Sequence, residues 1–187
     1  MKKLFAILLV AVLLSSMTAC SCDNNSVPTT EATEAAGGVQ VALSGTMEEN
    51  VNKLMQANPA EFMGGMMPID LKDTSEEGLW ALKSYTGLDS AKDITDAAAY
   101  EPMTGAQAFS LVMVRVAEGA NAKDVAQQMK ENIDPRKWIC AMADQVMVAG
   151  YGDVVMFIMV DTDLGKTAQS YVDAFATLCG GKLDFTI

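Results

Sequence analysis

The chain carries no histidine, so any chemistry it performs must come from serine, cysteine, lysine, carboxylates or thioethers. Imidazole-activated triads and most imidazole zinc or copper sites are thereby excluded. Among the remaining nucleophiles, Ser110, Cys140 and Cys179 have no imidazole base, and the carboxylates fall on segments that read as exposed helix faces or turns. A carboxylate-dependent hydrolase stays open, because spacing in sequence does not report distance in space. Met63, Met66 and Met67 cluster in a glycine-containing segment, and thioethers are soft ligands that select Cu(I). The stronger reading is that methionine, of which the chain has 14, fills irregular gaps. Asp153, Asp161 and Asp163 lack the alternating ligands and central glycine of a calcium loop and read as caps and solvated turns. No resident metal or cofactor is expected.

The cysteine with a chemistry of its own is Cys20. Lys2 and Lys3 precede an unbroken apolar run from Leu4 to Leu14, shorter than the roughly 20 residues a membrane span needs. Met17-Thr18-Ala19-Cys20 then places small residues directly before the cysteine, and the stretch resembles a bacterial lipobox. That resemblance implies a diacylglyceryl group on the Cys20 sulfur, cleavage before it, and a stable membrane anchor, since two or more acyl chains hold where one does not. An ordinary secretory signal with Cys20 a plain thiol is the competing reading. Cys22 has the poorer run-in, Ala19-Cys20-Ser21. Residues 1–19 are accordingly expected to be a lipoprotein signal peptide and the chain to sit lipid-anchored on the extracytoplasmic face of the cell membrane.

The formal charge of −11 becomes more negative once Lys2 and Lys3 are removed. Such a surface repels phosphate backbones and anionic headgroups, so nucleic acid is not an expected partner and membrane attachment must come from the lipid. Residues 20–44 are rich in Asn, Ser, Thr, Glu, Ala and Gly and cannot bury enough apolar surface to offset their ordering entropy. They read as a tether reaching about 25 Å as a flexible coil, with Val39–Leu43 able to add an edge strand.

Residues 45–187 form one expected domain. Thr46 and Glu49 make a capping box for a helix carrying Met47, Val51, Leu54 and Met55 on one face. Phe62 to Pro68 reads as irregular, and a second helix from about Ser75 to Tyr85 presents Leu79, Leu82 and Tyr85 before Gly87 stops it. Leu88 to Tyr100 reads as turn and short helix with Asp89, Asp93 and Asp96 facing water. The Ala108–Val116 run predicts an interior strand, with Phe109, Leu111, Met113 and Arg115 opposite to Ser110, Val112, Val114 and Val116.

Asn121 then caps a helix through Val125, Met129 and Ile133, and Pro135 is expected to restart it, carrying Trp138, Ile139 and Met142 inward. A hairpin follows, Gln145–Ala149 and Val154–Val160 around Gly150-Tyr151-Gly152-Asp153, then a helix from about Thr162 to Leu178 and a short strand in Lys182–Ile187. This order is β-α-β-β-α-β. It predicts an α+β fold with an antiparallel sheet of three or four strands covered by helices, in a ferredoxin-like arrangement behind two N-terminal helices. Cys140 and Cys179 could pair in an exported protein or serve as small buried hydrophobes.

Several stretches together, Tyr85-Thr86-Gly87-Leu88-Asp89, Ala106-Gln107-Ala108-Phe109, the Asn121-capped helix and the Gly150–Asp153 hairpin, resemble the bacterial lipoprotein family DUF4358, found mainly in Firmicutes. The resemblance implies the same plan of lipobox, tether and one domain, and no catalytic motif. In that family the central strand often carries a glutamate early and a lysine late, where this chain has Phe109 or Ser110 and Arg115. The expected function is a non-enzymatic binding or accessory module with a protein or small-molecule partner, the alternatives being the hydrolase of wall or extracellular material and a methionine-based copper handler. Loops on a rigid scaffold commonly carry contacts, so Phe62 and Tyr151 are the candidate partner-facing residues.

Overall fold

Local signals set the first helix. Thr46 accepts a hydrogen bond from the Glu49 amide while Glu49 reaches back to the Thr46 amide, satisfying two donors that a helix start leaves orphaned. Helix α1 (Met47–Ala57) follows and buries Met47, Val51 and Leu54. The computed structural model describes residues 43–187, which lie in one compact unit. The expected signal peptide, Cys20, the expected tether apart from Leu43 and Ser44, and the strand expected at 39–43 apart from Leu43 lie outside the described residues.

Strand β1 (Gly64–Met67) comes next, then α2 (Glu76–Thr86), capped by Ser75 and ended by Gly87 in the left-handed region at φ 73°. Strands β2 (Ile94–Pro102) and β3 (Phe109–Val116) lead to α3 (Ala122–Asn132), capped by Asn121. Strands β4 (Gln145–Tyr151) and β5 (Val154–Val160) form the hairpin, and α4 (Ala168–Leu178) and β6 (Phe185–Thr186) complete the domain. The sheet is antiparallel throughout, in the order β1-β2-β3-β5-β4-β6.

The α+β class holds, and two finer expectations are corrected. The sheet has six strands instead of three or four, because segments read as irregular pair with it. Phe62–Pro68 contains β1, and Leu88–Tyr100 contains most of β2. In β2 the residues Ala97, Ala98 and Ala99 are poor strand formers alone, but their small side chains let helices approach both faces: Ala98 packs with α1 and Ala99 with the opposite layer. Asp96 does not simply face water, since it accepts the Met47 amide hydrogen at 2.7 Å and so braces the start of α1 on β2.

The ferredoxin-like order is also replaced. Strands β3 and β4 flank β5 as that pattern requires, but the last strand pairs with β4, and β2 occupies the place beside β3. Helices cover both faces of the sheet. Helices α1 and α4 bury Phe109, Leu111, Met113, Met156 and Ile158 on one side, while α2 and α3 bury Val112, Val114, Val155, Phe157 and Met159 on the other. The alternation read for β3 is the one observed.

Three smaller corrections concern chain turns. The hairpin turn is the two residues Gly152 and Asp153, with Tyr151 paired to Val154 as the last rung of the ladder. The final helix starts at Ala168, because Thr162–Leu164 forms a separate 3-10 turn closed by Gly165 at φ 80°. After Asp134 no helix restarts: Ile139 is 94% exposed and Met142 is exposed too. Asp134 instead turns the chain by accepting from the Arg136 amide, and the Ala143 amide closes the loop onto the Pro135 carbonyl.

Candidate functional site

The residue that bends this loop is Lys137. Its ammonium is drawn beneath the loop onto Glu101, near the end of β2, with which it forms a short ion pair. Ser110, the second residue of β3, donates its hydroxyl hydrogen to the same Glu101 oxygen at 2.6 Å. Lys137 also donates to the Ser84 carbonyl at 3.3 Å and lies 3.4 Å from Ser110 Oγ. The rings of Tyr85 and Trp138 lie close by, each centroid 5.3 Å from the ammonium. Glu101 and Ser110 are buried, Ser110 completely.

Burial pushes the Lys137 ammonium below the usual lysine range, while the Glu101 carboxylate opposes that push. The Tyr85 hydroxyl is raised, first by burial and then by the Glu101 charge. Sequence reading missed this cluster. Ser110 reads alone as a nucleophile without a base, whereas Glu101 and Lys137, from another strand and a loop, each look like an ordinary surface residue.

Beside the cluster a cavity of about 330 Å³ opens between α2 and the end of α3. Trp80, Lys83 and Ser84 line it from α2, at positions that share one helix face; Ile133, Asp134 and Lys137 line the other side. Trp80 is 67% exposed, unusual for the largest apolar side chain. The charges at this cavity are already matched: Lys83 pairs with Asp89 at 2.7 Å, Lys137 with Glu101, and Asp134 with Arg136 at 3.6 Å. A larger cavity, about 450 Å³, lies where α1 meets the β1–β2 edge, lined by Thr46, Glu48, Met66, Met67 and Asp96.

The candidate residues read from sequence fall elsewhere. Met66 packs with the α1/α4 layer and Met67 with the α2/α3 layer, because neighbours in β1 point to opposite faces, and Met63 is 81% exposed. The three thioethers are therefore not gathered on one face. Among the described residues no group of three or more cysteine or carboxylate side chains could hold a metal. Phe62 is part of an aromatic cluster, 5.0 Å from Phe109 and 6.4 Å from Tyr100, so it serves the core instead of an exposed loop. Tyr151 is half-buried at the end of β4 against the same core.

Cys140 is exposed and Cys179 is buried in the α1/α4 layer; both are free, so they form no disulfide. Burial, with a smaller contribution from Asp184, raises the Cys179 thiol to about 12, where it is inert as a nucleophile. Arg115, on β3, closes the other end of the sheet. It donates to Asp153 at 2.5 Å and to the carbonyls of Leu43 and Gly45 at 2.5 and 3.0 Å. The entry of the chain into the domain is thus clamped to the central hairpin.

Fold and site together define a three-layer α+β domain with a self-satisfied buried polar cluster and a small, charge-balanced cavity beside it. No family model matches the chain, and neither the curated proteins nor the solved structures contain a match to it.

Proposed function

We propose that this protein is a lipid-anchored extracytoplasmic lipoprotein whose domain binds a partner without catalysing a reaction, and that it belongs to the DUF4358 lipoproteins it resembles. The anchor rests on Met17-Thr18-Ala19-Cys20 and the apolar run before it. The observation that carries the non-enzymatic part is the state of Ser110. Its hydroxyl is fully buried and committed to Glu101, and Glu101 is committed to Lys137, so nucleophile, carboxylate and amine hold one another and fix the loop over the sheet. The polar groups facing the neighbouring cavity then serve recognition.

Two measurements test the reading. Replacing the lipidated residue, Cys20→Ala, should shift the protein from the membrane fraction to the soluble extracytoplasmic fraction; unchanged membrane retention would contradict the anchor. A fluorophosphonate probe should leave Ser110 unlabelled, and stoichiometric labelling there would replace a binding module with a serine hydrolase.

The carboxylate-dependent hydrolase has one supporting observation, that Glu48 and Asp96 line the same larger cavity. Against it, the Asp96 Oδ2 is occupied by the Met47 amide and braces a helix. The copper reading would require Met66 and Met67 to leave the layers they pack in.

A further inference from the structure

We infer that the cavity between α2 and the end of α3 is a saccharide subsite, with Trp80 as its stacking platform. This inference rests on the binding-module reading above and names the chemistry of its ligand. A pyranose ring has an apolar face of C–H groups and a rim of hydroxyls, and it is held by an aromatic face on one side and by short polar side chains around the edge. Trp80 supplies the first: it is 67% exposed and lines the cavity wall, where burial of its ring by a ligand would remove apolar surface from water. Ser84 and Asp134 supply the second. The Ser84 hydroxyl makes no hydrogen bond among the described residues, and Asp134 Oδ1 accepts from the Arg136 amide while its second oxygen is not engaged.

The electrostatics select against charged ligands. Lys83, Lys137 and Asp134 each have an opposite charge at hand, so the site presents hydrogen-bonding groups without net charge. An anion engaging Lys137 would have to break the Lys137–Glu101 pair, leaving a buried carboxylate uncompensated, and one engaging Lys83 would gain only an exposed, solvent-screened contact in competition with Asp89. A neutral polyhydroxylated ligand needs no such rearrangement. The volume, about 330 Å³, sits at the small end of the roughly 300–1,000 Å³ of ligand sites and suits one or two sugar rings. The floor is rigid, because Lys137 is held by Glu101, the Ser84 carbonyl and the two nearby rings.

The test is a titration of the full-length detergent-solubilised protein with chitotriose, maltotriose and cellotriose, and with trialanine and inorganic phosphate as non-saccharide probes, read by intrinsic tryptophan emission and by calorimetry. At least one trisaccharide should bind saturably and quench or shift the emission. Trp80→Ala should weaken that binding tenfold or more with the circular dichroism and melting temperature unchanged, and Ser84→Ala should weaken it severalfold. Binding of no saccharide, or saccharide binding that Trp80→Ala leaves intact, overturns the inference. Trialanine or phosphate binding that is lost in Trp80→Ala, or silence of every probe, overturns the saccharide assignment alone, whereas the binding-module reading falls to stoichiometric fluorophosphonate labelling of Ser110.

Discussion

At the scale of single residues, the interior of this domain holds few polar groups and pairs nearly all of them, the buried Tyr171 hydroxyl being the one side-chain polar atom without a hydrogen-bond partner among the described residues. Lys137 and Glu101 pair with side chains only 15% and 10% exposed, so each depends on the other to offset its desolvation. Lys137→Met should therefore cost about 3–5 kcal/mol of folding stability, measured by urea unfolding, because it strands the Glu101 carboxylate. Adding Glu101→Gln to that variant should restore most of the loss; a double variant as unstable as the single one would show that the pair is not the source. Two other buried groups set an alkaline limit. Tyr171 and Cys179 are both raised to about 12 by burial, above their ordinary 10.0 and 9.0. Each keeps its proton in the fold after the unfolded chain has lost it, so their contribution is complete below pH 9 and is lost as pH rises toward 12. Stability should fall with pH from about 9 upward, and Cys179→Ala should flatten the first part of that fall; an unchanged slope would contradict it.

At the scale of elements, the parts legible in the sequence are those fixed by local signals. The capping box at Thr46, the Asn121 cap, the Gly87 stop, the β3 alternation and the hairpin all depend on residues a few positions apart. What escaped notice depends on partners far away. Strand β2 has alanines where strand formers would stand, and only its place between two layers makes that composition fit. The 135–144 segment has the periodicity of a helix, but Lys137 is pulled to Glu101, 36 residues earlier, and the helix is lost. The candidate site was hidden for the same reason: Trp80 was visible as a residue but not as the wall of a cavity that another helix completes. Strand β6 also shows this dependence, since its Phe185 ring lies over Gly150 with 2.2 Å between the ring and any added Cβ. Gly150→Ala should cost about 1–3 kcal/mol in thermal or chemical unfolding by overpacking that contact. Gly119→Ala tests a different variable, φ 83° with open space around it, and should cost less through backbone strain alone. Equal or reversed costs would mean that β6 is not seated as described.

At the scale of the whole molecule, the Arg115 clamp joins the start of the described chain to the sheet between the two helix layers. Arg115 ties the carbonyls of Leu43 and Gly45 to Asp153 at the turn of the central hairpin, and so fixes the start of the described chain to the buried strands. The acidic sequence, with its net charge of −11, is repelled by anionic lipid, so the proposed membrane attachment rests on the lipid alone. The account therefore stands on the covalent state of Cys20. Mass spectrometry of the N-terminal peptide of the protein extracted from membranes tests it most directly. The account predicts a chain beginning at Cys20 with a diacylglyceryl group on its sulfur, and a chain beginning elsewhere or carrying Cys20 as an unmodified thiol would contradict it.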